Sequence, residues 1–196
     1  VEDELLSRYQ LPHGDTPAKE EYQRRFPGRP DIMGRLAPRW MDGGRYVKLH
    51  KCGLGAMGEV WEACDLHLRR WVAIKEPRAG LLNHPDALRR FEQEAMVTAG
   101  LEHPGIVSLH EYRQGEGAAP FYVMRLVRGK TLGERIREYH QPPAGRPPLE
   151  QHLLWERLLQ SLASVCDAIS FAHENGILHR DLKPGNVILG EFGEVV

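Results

Sequence analysis

The chain places a carboxylate, an ammonium group and an amide within one short polar stretch, at Asp181, Lys183 and Asn186. These side chains can accept a proton, neutralise an anion and offer an oxygen to a hard metal ion. Phosphoryl transfer requires such positioning and charge neutralisation more than covalent chemistry, so a short loop can supply much of it. The stretch reads His179-Arg180-Asp181-Leu182-Lys183-Pro184-Gly185-Asn186.

A polar turn after a helix is the alternative interpretation of this stretch. The tripeptide His-Arg-Asp alone would favour such a turn. Lys183, Pro184 and Asn186 follow at fixed spacing, and this longer pattern favours the catalytic interpretation.

A glycine-rich segment upstream could bind phosphate, because glycines allow backbone N–H groups to approach an anion. A single G-x-G-x-x-G also occurs in dinucleotide-binding folds, where the third glycine opens a helix. Here β-favouring residues follow it, and then comes the run 71–75, so the pattern predicts strand, glycine turn, strand and third strand. The segment is Gly53-Leu54-Gly55-Ala56-Met57-Gly58-Glu59-Val60.

Lys75 closes the apolar run Trp71-Val72-Ala73-Ile74, and an ammonium group there requires a partner unless the strand end is exposed. The spacing of apolar residues predicts a helix over 86–100, and Glu94 lies on the shoulder of its apolar stripe. Glu92 competes as the partner, but it lies about 200° around the helix from Glu94.

Four further segments complete the expected secondary structure. Residues 106–110 and 121–127 resemble strands separated by a glycine-rich turn, whereas 131–140 and 149–174 have helical periodicity. The proline-rich connector at 141–148 could be a ligand for an SH3 domain, but a solvated loop between two helices is favoured.

These motifs occur in the order typical of protein kinases, and the chain from Tyr46 to Val196 resembles the eukaryotic-like Ser/Thr protein kinases of bacteria. The resemblance implies an α+β fold, with a β-rich N-terminal lobe containing one helix and the start of a helical C-terminal lobe. It implies that Asp181 accepts the substrate hydroxyl proton, Lys183 steadies the transferred phosphate and Asn186 binds Mg2+. Lysine two residues after the aspartate is typical of Ser/Thr kinases.

The resemblance also assigns the nucleotide site. Lys75 would pair with Glu94 and hold the α and β phosphates of ATP, beneath the loop residues 53–58. Met124 would stand behind the adenine, with Arg125, Leu126 and Val127 as the hinge. Val60 and Ala73 would cover the adenine from above and Ile188 from below, although ordinary core packing is the alternative for each apolar residue. The loop residues assigned to ATP are Gly53, Leu54, Gly55, Ala56, Met57 and Gly58.

The implied function is transfer of the γ-phosphate of ATP to a Ser or Thr hydroxyl of a protein, and the protein itself is one candidate acceptor. The second metal-binding aspartate of the family would follow Val196, so we expect a fragment that alone has no appreciable kinase activity. Two alternatives stay open: a nucleotide-binding pseudokinase with a regulatory role, and a small-molecule kinase of the same fold. The complete loop pattern counts against the latter.

The composition of the chain bears on its binding partners, its redox compartment and its metal sites. The formal net charge of −1 indicates no strong field to recruit nucleic acid or anionic membranes. The three cysteines have no C-x-x-C spacing, which favours free thiols in a reducing compartment, and the histidines form no zinc pattern. With no apolar run near membrane-spanning length, we expect a cytoplasmic protein, although an anchor beyond residue 196 is compatible with this sequence. The expected organisation is a proline-dotted tail over 1–43, an N-terminal lobe over 44–126 and a partial C-terminal lobe over 127–196.

Overall fold

The computed structural model describes residues 39–41, 45–55, 57–68, 70–115 and 119–196, and of these only the backbone of residues 39 and 40. The strands are β1 (Arg39–Met41), β2 (Tyr46–Leu54), β3 (Gly58–Asp65), β4 (Arg70–Pro77), β5 (Leu109–Arg113), β6 (Phe121–Arg125), β7 (Gly129–Thr131) and β8 (Ile188–Gly190). The helices are α1 (Pro85–Ala99), α2 (Leu132–His140) and α3 (Pro148–Glu174), with short 3₁₀ turns at Ala79–Leu81 and Pro184–Asn186. The predicted α+β fold is confirmed.

The larger sheet has the strand order β1-β2-β3-β4-β6-β5, and β7 pairs with β8 in a separate ribbon. Strands β1 to β4 are antiparallel neighbours. In β4, Val72, Ala73 and Ile74 are all buried, because a central strand is covered on both faces. One apolar cluster on this sheet comprises Tyr46, Ala63, Val72, Ile74, Phe121 and Val123, with Met41 packed against it.

The helices have recognisable sequence signals at their ends. Pro85 occupies the first turn of α1, where a missing N–H costs little. Thr131 and Glu134 form a capping box at the start of α2, which satisfies two otherwise unpaired backbone donors. Pro148 opens α3, and Gly176 follows its end with a φ of 74°, a conformation that glycine adopts at little cost.

The structure confirms the three predicted helices and shifts two predicted strands. The strand expected over 106–110 is β5, which begins only at Leu109, and the strand expected over 121–127 is β6, which ends at Arg125. Within the predicted N-terminal tail, residues 39–41 form β1 alongside β2, whereas the rest of that tail lies outside the described residues. Apolar residues also precede the observed start of β5 and follow the observed end of β6. Pairing with neighbouring strands, and not composition, therefore determines where these strands begin and end.

The chain divides into two compact units. The first comprises the chain up to Asn83 together with Arg113–Val123, and the second comprises His84–Tyr112 with Met124–Val196. The predicted lobe limits at 43/44 and 126/127 stay predictions. Within the described residues, no helix is long and apolar enough to cross a membrane.

Candidate active site

The glycine-rich segment is a tight turn between β2 and β3. The backbone N–H of Gly55 donates to the carbonyl oxygen of Gly58 at 2.9 Å. A Cβ atom on Gly58 would lie 2.7 Å from the carbonyl oxygen of Glu76, closer than real Cβ atoms approach. Glycine is therefore required at position 58 by close contact between neighbouring strands. Among the other assigned loop residues, Leu54 is exposed and Ala56 lies outside the described residues.

Three residues predicted to contact the nucleotide share one face of the sheet in the first unit. Val60 lies directly opposite Lys75 in the β3–β4 pair, and Ala73 precedes Lys75 by two residues on the same strand. The Lys75 ammonium nitrogen lies 5.6 Å from the centroid of the Tyr122 ring, within the range of a cation–π contact. The structure thus brings Val60, Ala73 and Lys75 together.

Glu94 is half-buried on α1, between the buried Phe91 and Ala95. Glu92 lies close to Tyr112, whose pKa is raised first by burial and second by the charge of Glu92. Lys75 and Glu94 belong to different compact units, and their pairing stays a prediction.

The predicted hinge follows the end of β6. Met124, Leu126 and Val127 are half-buried, whereas Arg125 is exposed. The backbone N–H of Arg125 donates to the carbonyl oxygen of Ser108 at 2.9 Å, and its guanidinium group lies 3.3 Å from the carboxylate of Glu194. Both contacts hold the start of this segment within the second unit.

The catalytic loop brings its three predicted residues into direct contact. Lys183 Nζ donates to both carboxylate oxygens of Asp181, at 3.0 and 2.8 Å. Asn186 Nδ2 donates to the backbone oxygen of Asp181 at 2.9 Å and to its Oδ2 at 3.2 Å. Because Nδ2 makes both bonds, Oδ1 is the amide atom of Asn186 that could bind a cation.

The electrostatics of the loop favour an ionised Asp181. The hydrogen bond from Lys183 is the largest cause that lowers the pKa of this exposed carboxyl below its usual range, and the bond from Asn186 is the second. Both donors stabilise the charged form, so the carboxylate is ionised at neutral pH.

The loop is held by local geometry and by the apolar core beneath it. Arg180 has a φ of 59°, the one positive value among the described non-glycine residues, and such strain often accompanies functional turns. The backbone N–H of Asp181 donates to the carbonyl oxygen of His179 at 2.8 Å. Beyond Asn186, the buried Val187 packs with Leu132 and Leu158, which joins the loop to α2 and α3.

The β7–β8 ribbon extends this support. Thr131 pairs with Ile188, the residue predicted to lie beneath the adenine, and the N–H of Leu132 donates to the carbonyl oxygen of Val187 at 2.8 Å. Ile188 is half-buried. The ribbon therefore fixes the position of Ile188, two residues after Asn186. Helix α2 begins directly after β7, the strand paired with β8.

The fold and the loop define a family. Residues 46–195 match the protein kinase domain family, described as "Protein kinase domain", and the chain belongs to that family. Among curated relatives, it is 38% identical over 154 residues to the serine/threonine-protein kinase PknD of Protochlamydia amoebophila, and this covers 77% of the chain and 15% of the relative. It is 37% identical over 156 residues to the serine/threonine-protein kinase PknA of Mycobacterium tuberculosis, covering 78% of the chain and 34% of the relative. The resemblance to the bacterial Ser/Thr kinases is confirmed, and the matched part of the chain spans between 15% and 34% of the length of these relatives.

Solved structures agree with the fold. The kinase domain of PknI from Mycobacterium tuberculosis superposes with a TM-score of 0.56 at 28% identity, covering 77% of this chain and 57% of that one. PpkA-294 in its apo form has a TM-score of 0.63 at 23% identity, covering 83% of this chain and 60% of that one. These structures support a kinase fold across both compact units.

Sequence reasoning missed several residues that shape the site. Glu194 pairs with Arg125 of the predicted hinge, and the buried Lys48 forms an ion pair with the half-buried Glu76, the residue after Lys75. Both pairs join residues far apart in sequence, and no local pattern indicates them. The position of Glu76 directly after Lys75 was the available signal, because a carboxylate inside an apolar strand implies a nearby cation.

Proposed function

We propose that the protein of which this chain forms at least a part is an ATP-dependent protein kinase that phosphorylates Ser or Thr hydroxyls. The observation that carries the proposal is the contact of Asp181 with Lys183 and Asn186 in one exposed loop. Phosphoryl transfer needs a base or hydroxyl-positioning group, a cation near the transferred phosphate and a metal ligand, and these three side chains supply them.

Asp181 acts on the acceptor. Its exposed, ionised carboxylate orients the substrate hydroxyl and takes up the proton as the oxygen attacks the γ-phosphorus. The bond between the γ-phosphorus and the β–γ bridging oxygen breaks, and ADP leaves with that oxygen. Lys183, whose ammonium group lies 2.8 Å from Asp181 Oδ2, can move to the phosphoryl oxygens as charge develops there.

ATP and Mg2+ are the proposed cofactors. The donor set suits magnesium, because Asn186 offers an amide oxygen beside the carboxylate of Asp181 and Mg2+ prefers oxygen ligands. Asn186 would hold the ion, which when bound neutralises phosphate charge. Among the described residues, no group of three or more His, Cys, Asp or Glu side chains could hold a metal.

The nucleotide would be held by the loop from Gly53 to Gly58 and by Lys75, with Met124, Arg125 and Val127 at the adenine. The contact between Gly58 and β4 supports this assignment, because it keeps the loop backbone close to the strand that carries Lys75. The half-buried Val60, Met124 and Ile188 and the buried Ala73 have the apolar character that an adenine pocket requires.

The proposed protein substrate carries Ser or Thr, and the protein itself is a candidate acceptor. Lys183, two residues after Asp181, supports this acceptor class. The site of action is proposed to be the cytoplasm, since ATP is available there and the cysteines Cys52, Cys64 and Cys166 are free thiols.

The experiment compares transfer of labelled γ-phosphate to a generic Ser/Thr protein by the longer protein containing this chain, with Asp181 or with Asp181→Asn. We expect the substitution to lower kcat by about 100-fold or more, because a general base contributes that much, while ATP affinity stays within about threefold. Glu138→Gln, the same kind of change at a half-buried carboxylate on α2, is the matched control. Unchanged turnover in the Asp181→Asn protein would contradict the assigned role.

A further inference from the structure

A buried ion pair lies on the face of the sheet opposite Lys75. Lys48 on β2 is only 1% exposed, and its ammonium nitrogen donates to both carboxylate oxygens of Glu76 on β4 at 2.6 Å. The ring of Trp61 on β3 lies beside the ammonium group, with its centroid 4.7 Å from Lys48 Nζ. The three side chains therefore form a contact that crosses three neighbouring strands.

This contact links two strands, β2 and β4, that do not pair with each other but both pair with β3. Neighbouring strands lie about 4.8 Å apart, so β2 and β4 are separated by roughly 9.6 Å with β3 between them. The β2–β3 register is regular up to Lys48 and then shifts twice before the glycine loop, between Lys48 and His50 and again between Lys51 and Gly53. The side chain of Lys48 thus links β2 to β4 at the point where the regular ladder ends.

Glu76 connects this pair to the proposed phosphate-binding residues. It follows Lys75 directly, so the two side chains point to opposite faces of β4. Its carbonyl oxygen is the atom that a Cβ on Gly58 would meet at 2.7 Å, and the Lys75 side chain would lie 3.2 Å from the same Cβ. A shift of the β4 backbone at Glu76 would therefore move both Lys75 and its contact with the glycine loop.

We propose that Lys48 and Glu76 are positioning residues for phosphate binding: their buried ion pair holds β4 so that Lys75 and Gly58 face the phosphates of ATP together. The inference rests on the proposed function, since it assigns Lys75 and the glycine loop to the nucleotide. Buried charges of this kind are costly to separate, because removing one partner leaves the other desolvated and uncompensated. The hydrogen bonds of the pair are also directional, unlike apolar contacts, because one ammonium group donates to two fixed oxygens.

The test uses the full chain and measures equilibrium binding of Mg-ATP and, separately, of adenosine, which has no phosphates. Two variants break the ion pair: Glu76→Gln, which keeps the side-chain shape, and the double variant Lys48→Met/Glu76→Met, which removes both charges. The double variant is included because it should stay folded even if Glu76→Gln does not. Replacing a buried ion pair with apolar residues of similar size is often neutral or stabilising. Glu138→Gln breaks the ion pair between Lys130 on β7 and the half-buried Glu138 on α2, and it is the matched control.

We expect both ion-pair variants to bind Mg-ATP about fivefold or more weakly while adenosine affinity stays within about twofold, because only the phosphates contact the displaced groups. The control should keep both affinities. Either of two results would overturn the positioning role. The first is a parallel loss of both affinities, and the second is a folded variant whose ratio of ATP to adenosine affinity equals that of the unaltered chain. Failure of the unaltered chain to bind ATP would instead contradict the proposed function itself.

Discussion

The guanidinium group of Arg125 lies 3.3 Å from the carboxylate of Glu194, across 69 residues of sequence. This ion pair joins the end of β6 to the turn that follows β8, within the second compact unit. Glu194 also accepts a hydrogen bond from the backbone N–H of Phe192 at 3.1 Å, and its own backbone oxygen accepts one from Gly190 at 2.8 Å. The same residue thus shapes the turn and contacts the predicted hinge.

The first prediction concerns the strength of this ion pair. Arg125 is 45% exposed, so solvent screens the attraction, and a double-mutant cycle with Arg125→Gln and Glu194→Gln should give a coupling energy of at most about 1 kcal/mol. Urea unfolding at low and high salt measures it, and the coupling should decrease as salt increases. The pair Arg135–Glu138, whose side chains are 38% and 33% exposed, gives a matched cycle. A coupling that is much larger and independent of salt would contradict the screened interaction.

The second prediction concerns Gly58. Gly58→Ala should lower the free energy of unfolding by about 1 to 3 kcal/mol, because the new Cβ would lie 2.7 Å from the carbonyl oxygen of Glu76 and one of the strands must shift. Gly80→Ala is the control, since no atom lies within 4 Å of the corresponding Cβ position and its backbone has no positive φ. Denaturant unfolding compares the two. Equal stability of the two variants would show that the β3–β4 contact adapts without cost.

The third prediction concerns the cap of α2. Thr131→Ala removes the side-chain oxygen that accepts a hydrogen bond from the Glu134 N–H at 3.2 Å, and it should cost about 1 kcal/mol of unfolding free energy. Ser164→Ala in α3 is a suitable control, because the Ser164 hydroxyl donates only to the carbonyl oxygen of Gln160 within the helix. Thermal or urea unfolding measures both changes. A loss at Ser164 equal to that at Thr131 would indicate that the cap adds nothing specific.

The sequence indicates helices and the catalytic loop well because both depend on short-range relationships. The period of Leu88, Phe91 and Ala95 predicted α1, and the loop residues Asp181 and Asn186 lie five positions apart and contact each other directly. In contrast, the strand pairing that starts β5 at Leu109 depends on neighbours distant in sequence.

The residues that the sequence patterns do not indicate interact across long sequence separations. Lys48 and Glu76 are 28 positions apart and meet only because β2 and β4 flank β3 in the folded sheet. From the sequence alone, Lys48 looks like an exposed charge on an amphipathic strand, since lysine is rarely buried. Its burial results from the ion pair and from the aromatic ring of Trp61, which together compensate the lost hydration.

The last prediction concerns the protonation of Asp181. Its pKa is lowered below the usual range first by the hydrogen bond from Lys183 and then by the bond from Asn186, so the carboxylate stays ionised to lower pH than an isolated aspartate. Lys183→Met removes the larger cause, and the pKa of Asp181 should therefore rise toward its ordinary value. The acidic limb of the normalised pH profile for kcat/KM should move to higher pH by the same amount, because this profile reports the free enzyme.

Two measurements separate this electrostatic effect from the loss of phosphate stabilisation that the same substitution causes. NMR titration of the Asp181 carboxyl carbon in the chain gives the pKa directly, and the pH profile of the longer protein gives the kinetic consequence. Lys130→Met is the matched control, because Lys130 contacts Glu138 on α2 and belongs to a different charge cluster. An Asp181 pKa that is the same with and without Lys183 would show that the ammonium group does not control this carboxylate, even if the maximal rate falls.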